Sequence, residues 1–390
     1  MKPDIYTLTS ELHDKEAVQA VTQEFLGSLG IDYTFKGSDF SDYAHSPLPL
    51  IYVCTGGTEG IFQKLLNAHP SPLTPHHSPF YLLTSGKSNS LAASMEILSY
   101  LSQHHLEGEI IHGSAEYISQ RIQLLVKVSE ARQQLNGCRL GVIGKPSDWL
   151  ISSEADYQKV KERLGIELID IPMQELLDTI ANLKSQNLNL KSYIYVALMT
   201  LIERYRLQGF TLRCFDLLNT VHDTGCMALA QLNSEGYVAG CEGDVPAMLS
   251  MMITRAVLGV SGFQANPSSM NPESGEILFA HCTIPLNMVE RYELDTHFES
   301  GIGVAIRGYM KEGPVTVFKV SGDLSRHFIA EGQLVRNEAK PNLCRTQQVI
   351  RLDNPHLLSS YFLTNPIGNH HIIMPGHQQQ VLEEILKIKH

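Results

Sequence analysis

The feature that most constrains this chain is its rhythm. From the first residues to about Leu258, short apolar runs alternate with amphipathic stretches of helical period. "PDIYTLTS" reads as a strand and "KEAVQAVTQEFLGSLG" as a helix closed by Gly30. "IDYTFKG", "PLPLIYVCTGG", "PFYLLTSG" and "GEIIHGS" repeat the strand, and "AEYISQRIQLLVKVSEARQQLNG" is the helix after the last of them. Parallel strands need a long crossover, usually a helix, so the alternation predicts parallel sheets covered by helices on both faces. Gly137 resets the pattern. "CRLGVIGKPS" starts as a fresh first strand, and further helix and strand units run on to "YVAGCEGD", read as a turn, and the helix "VPAMLSMMITRAVLG".

After Gly259 the texture changes. "GEILFAHCTIP", "FESGIGVAIRGYMKEGPVTVFKVSG" and "QQVIRLD" mix β-formers with Gly and Pro turns, the pattern of antiparallel β. "QQQVLEEILKIKH" closes as an amphipathic helix. A chain of 390 residues exceeds one ordinary core. The expectation is therefore an α/β protein in three parts. Residues 1–136 form an N-terminal α/β domain and residues 137–258 a central one, the two as tandem Rossmann-like units. Residues 259–390 form a mainly antiparallel, barrel-like domain.

Charge and composition narrow the function. The formal net charge is −11 and no basic cluster stands out, which argues against a nucleic-acid partner. "MKPDIYTLTSELHDKE" has no apolar core of a signal peptide, and the most apolar late stretch is interrupted by Arg255, so no membrane segment is expected. The seven cysteines are odd in number and contain no CxxC pair, which reads as reduced thiols and a cytoplasmic protein. His76 and His77, in "HPSPLTPHHSP", read as solvated loop residues rather than metal ligands. "CTGGTEG" lacks the spacing of a phosphate loop and reads as a helix start.

Three places collect groups that can do chemistry. Asp216, in "LRCFDLL", is expected at the carboxyl end of a buried strand, where α/β folds bind ligands; a turn or helix cap explains it equally well. Glu242 and Asp244 lie in "AGCEGD". Asp244 directly precedes Val-Pro and reads as a helix cap, which leaves Glu242 as the acid without a structural reason. The third place is "GNHHIIMPGH". In an extended chain His370 and His371 face opposite ways, so at most one of them serves a site. An Asp/Glu/His set with open positions suits a hard divalent cation such as Mn²⁺. His281, in "FAHCTIP", reads equally as a core histidine or as a group that touches substrate or metal. Lys145 and the sole tryptophan, Trp149, follow the first strand of the second part, and Asn365 and Asn369 flank the His370 turn. All four are candidates for binding hydroxyl groups or a sugar face.

In this order, "RCFD", "TGCMALAQLNSEG", "AGCEGD", "FAHCTIP" and "GNHHIIMPGH" resemble blocks of the L-fucose isomerase and L-arabinose isomerase superfamily, in its shorter, fucose-isomerase-like form. The resemblance runs from about Leu140 to the C-terminus. It implies a Mn²⁺-dependent aldose–ketose isomerase, other divalent cations being usable, that works through a cis-enediol on a small-molecule sugar, deoxy or otherwise modified sugars included. It implies that Asp216, Glu242 and His370 hold the metal, with Asp216 and Glu242 as the acid–base pair. It implies a homo-oligomer, trimer or hexamer, and His281, Trp149, Lys145, Asn369 and Asn365 are the residues expected to contact its substrate. Asp216 and Glu242 stand exchanged in length relative to the carboxylates of L-fucose isomerase. The competing reading is a sugar-binding or regulatory protein that keeps this fold without turnover.

Overall fold

The computed structural model describes residues 1–68, 79–186 and 192–387 of the chain; the His76–His77 loop lies outside them. Two compact units divide it, one built on Met1–Glu130 and the other on Ala131–Leu386.

In the first unit, β1 (Asp4–Leu8), β2 (Thr34–Gly37), β3 (Pro49–Val53), β4 (Phe80–Leu83) and β5 (Gly108–Ile111) form a parallel sheet in the order β2-β1-β3-β4-β5. β3 and β4 are buried along their whole length, as central strands covered on both faces must be. A cavity of about 670 Å³ opens near the carboxyl ends of β1 and β3, where the strand order reverses. None of the site residues expected from the sequence lines it.

The second unit joins a parallel sheet to a barrel. The sheet consists of β6 (Arg139–Ile143), β7 (Glu167–Ile171), β8 (Gly209–Leu212) and β9 (Val238–Cys241), in the order β7-β6-β8-β9. Along the rest of the chain run β10 (Phe263–Asn271), β11 (Glu276–His281), β12 (Arg291–Asp295), β13 (Ala305–Tyr309), β14 (Gly313–Val320), β15 (His327–Glu338), β16 (Thr346–Leu352) and β17 (His371–Pro375). Six of these close an antiparallel barrel in the order β10-β11-β16-β15-β14-β17, while β12 and β13 pair with each other as a separate hairpin. Closure leaves the barrel without free strand edges. Its interior is filled by side chains such as Phe263, Phe279, Val317, Ile350 and Ile373. The protein is thus mixed α/β, with two parallel sheets and a closed antiparallel barrel. The helix Val245–Leu258 packs against β9 on one side and against β14 and β17 on the other, which makes sheet and barrel one unit.

Two local expectations change. The segment "YVAGCEGD" is not a turn throughout: its Val238–Cys241 portion is strand β9, and the turn begins at Glu242. β9 is an edge strand only four residues long, too short to show a periodicity of its own. Its outer edge is held by side-chain amides in place of a neighbouring strand. Asn233 both accepts from the Ala239 N–H and donates to the Ala239 carbonyl, each at 2.9 Å. Gln264 of β10 does the same for Cys241, accepting at 2.8 Å and donating at 3.1 Å. Gln264 thereby stitches the parallel sheet to the barrel one residue before Glu242. Gln264→Leu leaves the buried Cys241 amide N–H without its acceptor, and we expect it to cost about 1–3 kcal/mol. Urea denaturation of the two proteins with matched slopes measures it, and an unchanged midpoint would show that the stitch is dispensable.

The second change concerns Asp216. β8 ends at Leu212, and Asp216 lies in the first turn of the short helix Phe215–Thr220 rather than on the strand itself.

Candidate metal centre

The site forms where β9 meets the barrel. β10 pairs with β11 on one side and with β17 on the other, through Asn266↔Ala280 and Ala265↔His371. His281 and His370 therefore flank the same point of β10 from its two sides, and their rings meet edge to face with centroids 5.2 Å apart. Gln264 brings the end of β9 to that point, and Glu242 follows directly. Ligand atoms of Glu242, His281 and His370 all fall within 4.8 Å of one another.

The chain takes an unfavourable course to put Glu242 there. Glu242 has φ +62° and Gly243 φ +63°, both left-handed. For a glutamate this costs roughly 1–2 kcal/mol, and such outliers concentrate at functional sites. Gly243 has no room for a side chain, since a Cβ would lie 2.9 Å from the Lys145 carbonyl oxygen. Ser147 of the same loop donates its hydroxyl to the Glu242 carbonyl, and Trp149 donates its indole N–H to Glu242 Oε2 at 3.4 Å. The loop after β6 thus holds Glu242 from its backbone and from one carboxylate oxygen.

The other oxygen, Oε1, faces the histidines, 3.3 Å from His281 Nε2 and 3.7 Å from His370 Nε2. Both imidazole nitrogens are buried, and neither has a hydrogen-bond partner. The far nitrogens are engaged. His281 Nδ1 lies 3.1 Å from the Thr283 hydroxyl and His370 Nδ1 lies 3.0 Å from Asp244 Oδ2. A histidine held by its Nδ1–H against a carboxylate presents a lone pair at Nε2, the arrangement that orients metal-binding imidazoles. Burial works to raise the Glu242 pKa, but the His370 and His281 imidazoles outweigh it and hold the carboxyl well below its usual range. Burial works against a charged His370, yet the Glu242 and Asp244 carboxylates push its pKa up to about 9. Burial dominates at His281 and lowers it. Asp244 has the Lys319 ammonium as its counter-charge, so the half-buried Glu242 carboxylate is the charge that a cation at the two Nε2 atoms would balance.

Asp244 is more than a cap. It does cap the helix Val245–Leu258, accepting from the Ala247 N–H at 2.8 Å. It is also 2% exposed, pairs with the buried Lys319 ammonium of β14 at 3.1 Å, and orients His370. Burial alone would raise its pKa; Lys319 and His370 bring it down to about 2. Nothing in "VFKVSG" marked Lys319, because a buried lysine shows in sequence only as a charge at one position of an apolar strand.

The remaining expected residues fall at different distances from this chemistry. Asp216 is not among the converging donors; its carboxylate pairs with Arg213 at 3.2 Å, and Arg213 also pairs with Asp148 at 2.8 Å. The Arg213 guanidinium lies 5.0 Å from the centre of the Trp149 ring, so this ion-pair group adjoins the side chain that donates to Glu242. Trp149 is 40% exposed and packs edge-on against Phe215. Lys145 is exposed, with a left-handed backbone (φ +75°). Asn369 accepts from the His370 N–H at 2.7 Å and donates to Asn266 at 3.0 Å, which shapes the His370 turn. Asn365 is taken up by Arg326, which donates to its carbonyl and side-chain oxygens. His371 faces away from Glu242, with Tyr361 at its Nε2 and the Asn369 carbonyl at its Nδ1; burial holds its pKa down to about 3.

No family model matches the chain. Its sequence is similar to those of sulfoquinovose isomerases. It is 23% identical over 262 residues to the sulfoquinovose isomerase of Priestia aryabhattai, 60% of this chain and 59% of that protein, and equally similar to that of Priestia megaterium. The sulfoquinovose isomerase of Clostridium sp. strain MSTE9 is 20% identical over 226 residues, 52% of this chain and 49% of that protein. The chain thus spans 59% of the length of the Priestia relatives it matches. Among the described residues no helix is long and apolar enough to cross a membrane.

Proposed function

We propose that this protein is a divalent-cation-dependent aldose–ketose isomerase of the L-fucose isomerase-like superfamily, acting on a modified sugar of the sulfoquinovose kind. The observation that carries the reading is the convergence of Glu242, His281 and His370, with both Nε2 atoms buried and unpartnered. One carboxylate and two imidazoles fit a Mn²⁺ ion, and the same donors accept other divalent cations. When bound, such an ion supplies Lewis-acid stabilisation of the negative charge that develops on the sugar oxygens.

The chain's own groups account for the rest. Moving a carbonyl from C1 to C2 through a cis-enediol takes a proton from one carbon and returns it to the other. Glu242 Oε2, on the Trp149 side, is the oxygen placed to move that proton. Asp216, paired with the Arg213 that adjoins Trp149, is the second carboxylate and handles the hydroxyl proton. The exposed Trp149 ring offers a flat apolar face to the sugar's C–H groups, and Lys145 and Asn369 are the further substrate-binding residues in this reading. The two parallel sheets are tandem Rossmann-like layers in this reading. The protein works in the cytoplasm as a trimer or hexamer, with a small-molecule sugar and no nucleic acid as partner.

Two measurements test the core of this. Protein dialysed against Mn²⁺ and then buffer should retain about one ion per chain. In ²H₂O it should convert sulfoquinovose to the ketose with solvent deuterium entering at C1, and a chelator should abolish the conversion. Retention of no cation would sink the proposal. Retained metal and bound sugar without turnover on a panel of aldoses would favour the sugar-binding protein instead.

A further inference from the structure

The β12–β13 hairpin stands outside the barrel, and its loop, residues 296–304, is held firmly at both ends. At the start, Arg345 donates to the Thr296 carbonyl at 2.7 Å and pairs with Asp295 at 3.4 Å. At the end, the Thr224 hydroxyl accepts from the Val304 N–H at 3.2 Å, and Gly303 (φ +64°) lies so close that a Cβ would sit 2.3 Å from that hydroxyl oxygen. Between the clamps the loop closes on His297, whose N–H donates to the Ile302 carbonyl and whose carbonyl accepts from Gly301.

The loop sets His297 against Phe215. The ring is 8% exposed and lies edge to face with Phe215 at 5.9 Å. Phe215 in turn meets Trp149 at 5.3 Å, and Trp149 donates to Glu242. Trp149, Phe215 and His297 are thus a continuous row of rings that begins at the indole bonded to Glu242. His297 Nδ1 is fixed by the Ser300 hydroxyl at 2.9 Å. Its Nε2 lies 3.9 Å from Glu299 Oε2, beyond hydrogen-bonding distance. Burial lowers the pKa of the ring, so it stands neutral and able to donate or accept according to its tautomer.

We propose that His297 is a substrate-binding residue: its Nε2 takes a hydroxyl of the sugar beyond C2, and the row Trp149–Phe215–His297 sets how far the chain of the sugar extends from Glu242. This rests on the isomerase reading for the identity of the ligand, though not for the existence of the binding wall. A hydroxyl is the fitting partner. A neutral imidazole whose Nε2 makes no hydrogen bond recognises an uncharged donor or acceptor.

Trp149 is the chain's sole tryptophan, so its fluorescence reports sugar binding whether or not turnover occurs. The experiment titrates Mn²⁺-loaded wild type, His297→Phe and His297→Gln with sulfoquinovose, following Trp149 emission, isomerisation and bound manganese. His297→Phe keeps the packing against Phe215 and removes the hydrogen bond. It should weaken sugar binding and raise KM by up to about tenfold, the scale of one neutral hydrogen bond, with manganese content unchanged. His297→Gln, which can still hydrogen-bond, should recover part of the loss. If wild type binds sugar without isomerising it and His297→Phe weakens that binding, the inference stands and the isomerase reading falls. If wild type isomerises the sugar and His297→Phe matches it in KM and titration, the inference falls and the reading stands. A wild type that neither binds nor converts the sugar overturns both.

Discussion

Asp244→Asn is expected to melt far below the wild type in metal-free protein. As a helix cap alone, asparagine would replace aspartate almost without loss. The structure overturns that expectation, because Asp244 is the counter-charge of Lys319, and both side chains are no more than 3% exposed. Removing one partner of a buried pair leaves the other charge uncompensated, which costs about 3–5 kcal/mol. Burial already lowers the Lys319 pKa, against the opposing pull of Asp244. Without Asp244 the lysine sheds its proton more readily, which places the loss toward the lower end. The sign with pH follows. A lysine whose folded pKa lies below its unfolded value opposes folding while the unfolded chain binds the extra proton, so stability rises with pH. The deficit of the variant should therefore shrink as pH rises toward the ordinary lysine range. Loss of the His370 Nδ1 partner should also weaken metal affinity about 10–100-fold. Denaturant titrations at two pH values decide the matter, and a variant within 1 kcal/mol (roughly a single cap) of wild type would show that the buried pair contributes nothing.

Glu242→Gln should abolish turnover while leaving the fold nearly intact. Glutamine keeps the length of the side chain and can still accept from Trp149, but it carries no charge to bind a cation and no base to move a proton. Loss of a positioned general base alone removes about 10²–10⁴-fold in rate, and loss of the anionic ligand adds to it. Asp216→Asn provides the contrast: it should lower turnover and retain the metal, because Asp216 lies outside the converging donors. Manganese content and single-turnover rates on the three proteins separate the roles. A Glu242→Gln variant that is active and metal-loaded would mean that the wrong carboxylate has been placed at the centre.

Several parts of this were legible in the residues because their causes are local. The alternation of apolar and amphipathic runs follows from the period of helix and strand, and the two parallel sheets and the antiparallel barrel after Gly259 appear where that periodicity changes. Asp244 before Val-Pro announced a helix start for the same reason: a cap depends on residues one to three positions away. Glu242 stood out because a long acid between Cys241 and Gly243 had no local task. His370 and His371 were separable by strand geometry alone, and the structure turns them to different partners.

What the tertiary structure decided is whatever depends on elements far apart in the chain. Gln264 holding Cys241, Lys319 under Asp244 and His281 beside His370 join residues 23, 75 and 89 positions apart, brought together only when the barrel closes against β9. His297 gave no sign in the sequence, since a histidine between Thr296 and Phe298 acquires a role only when the hairpin loop is clamped beside Phe215. Asp216 shows the limit from the other side. Its position after β8 brings it to the carboxyl end of the sheet, but the short helix Phe215–Thr220 and the Arg213 ion pair determine which way its carboxylate points. Backbone periodicity is written into neighbouring residues, whereas the partner of a buried charge is chosen by packing, because only the closed fold removes the water that would otherwise serve as its partner.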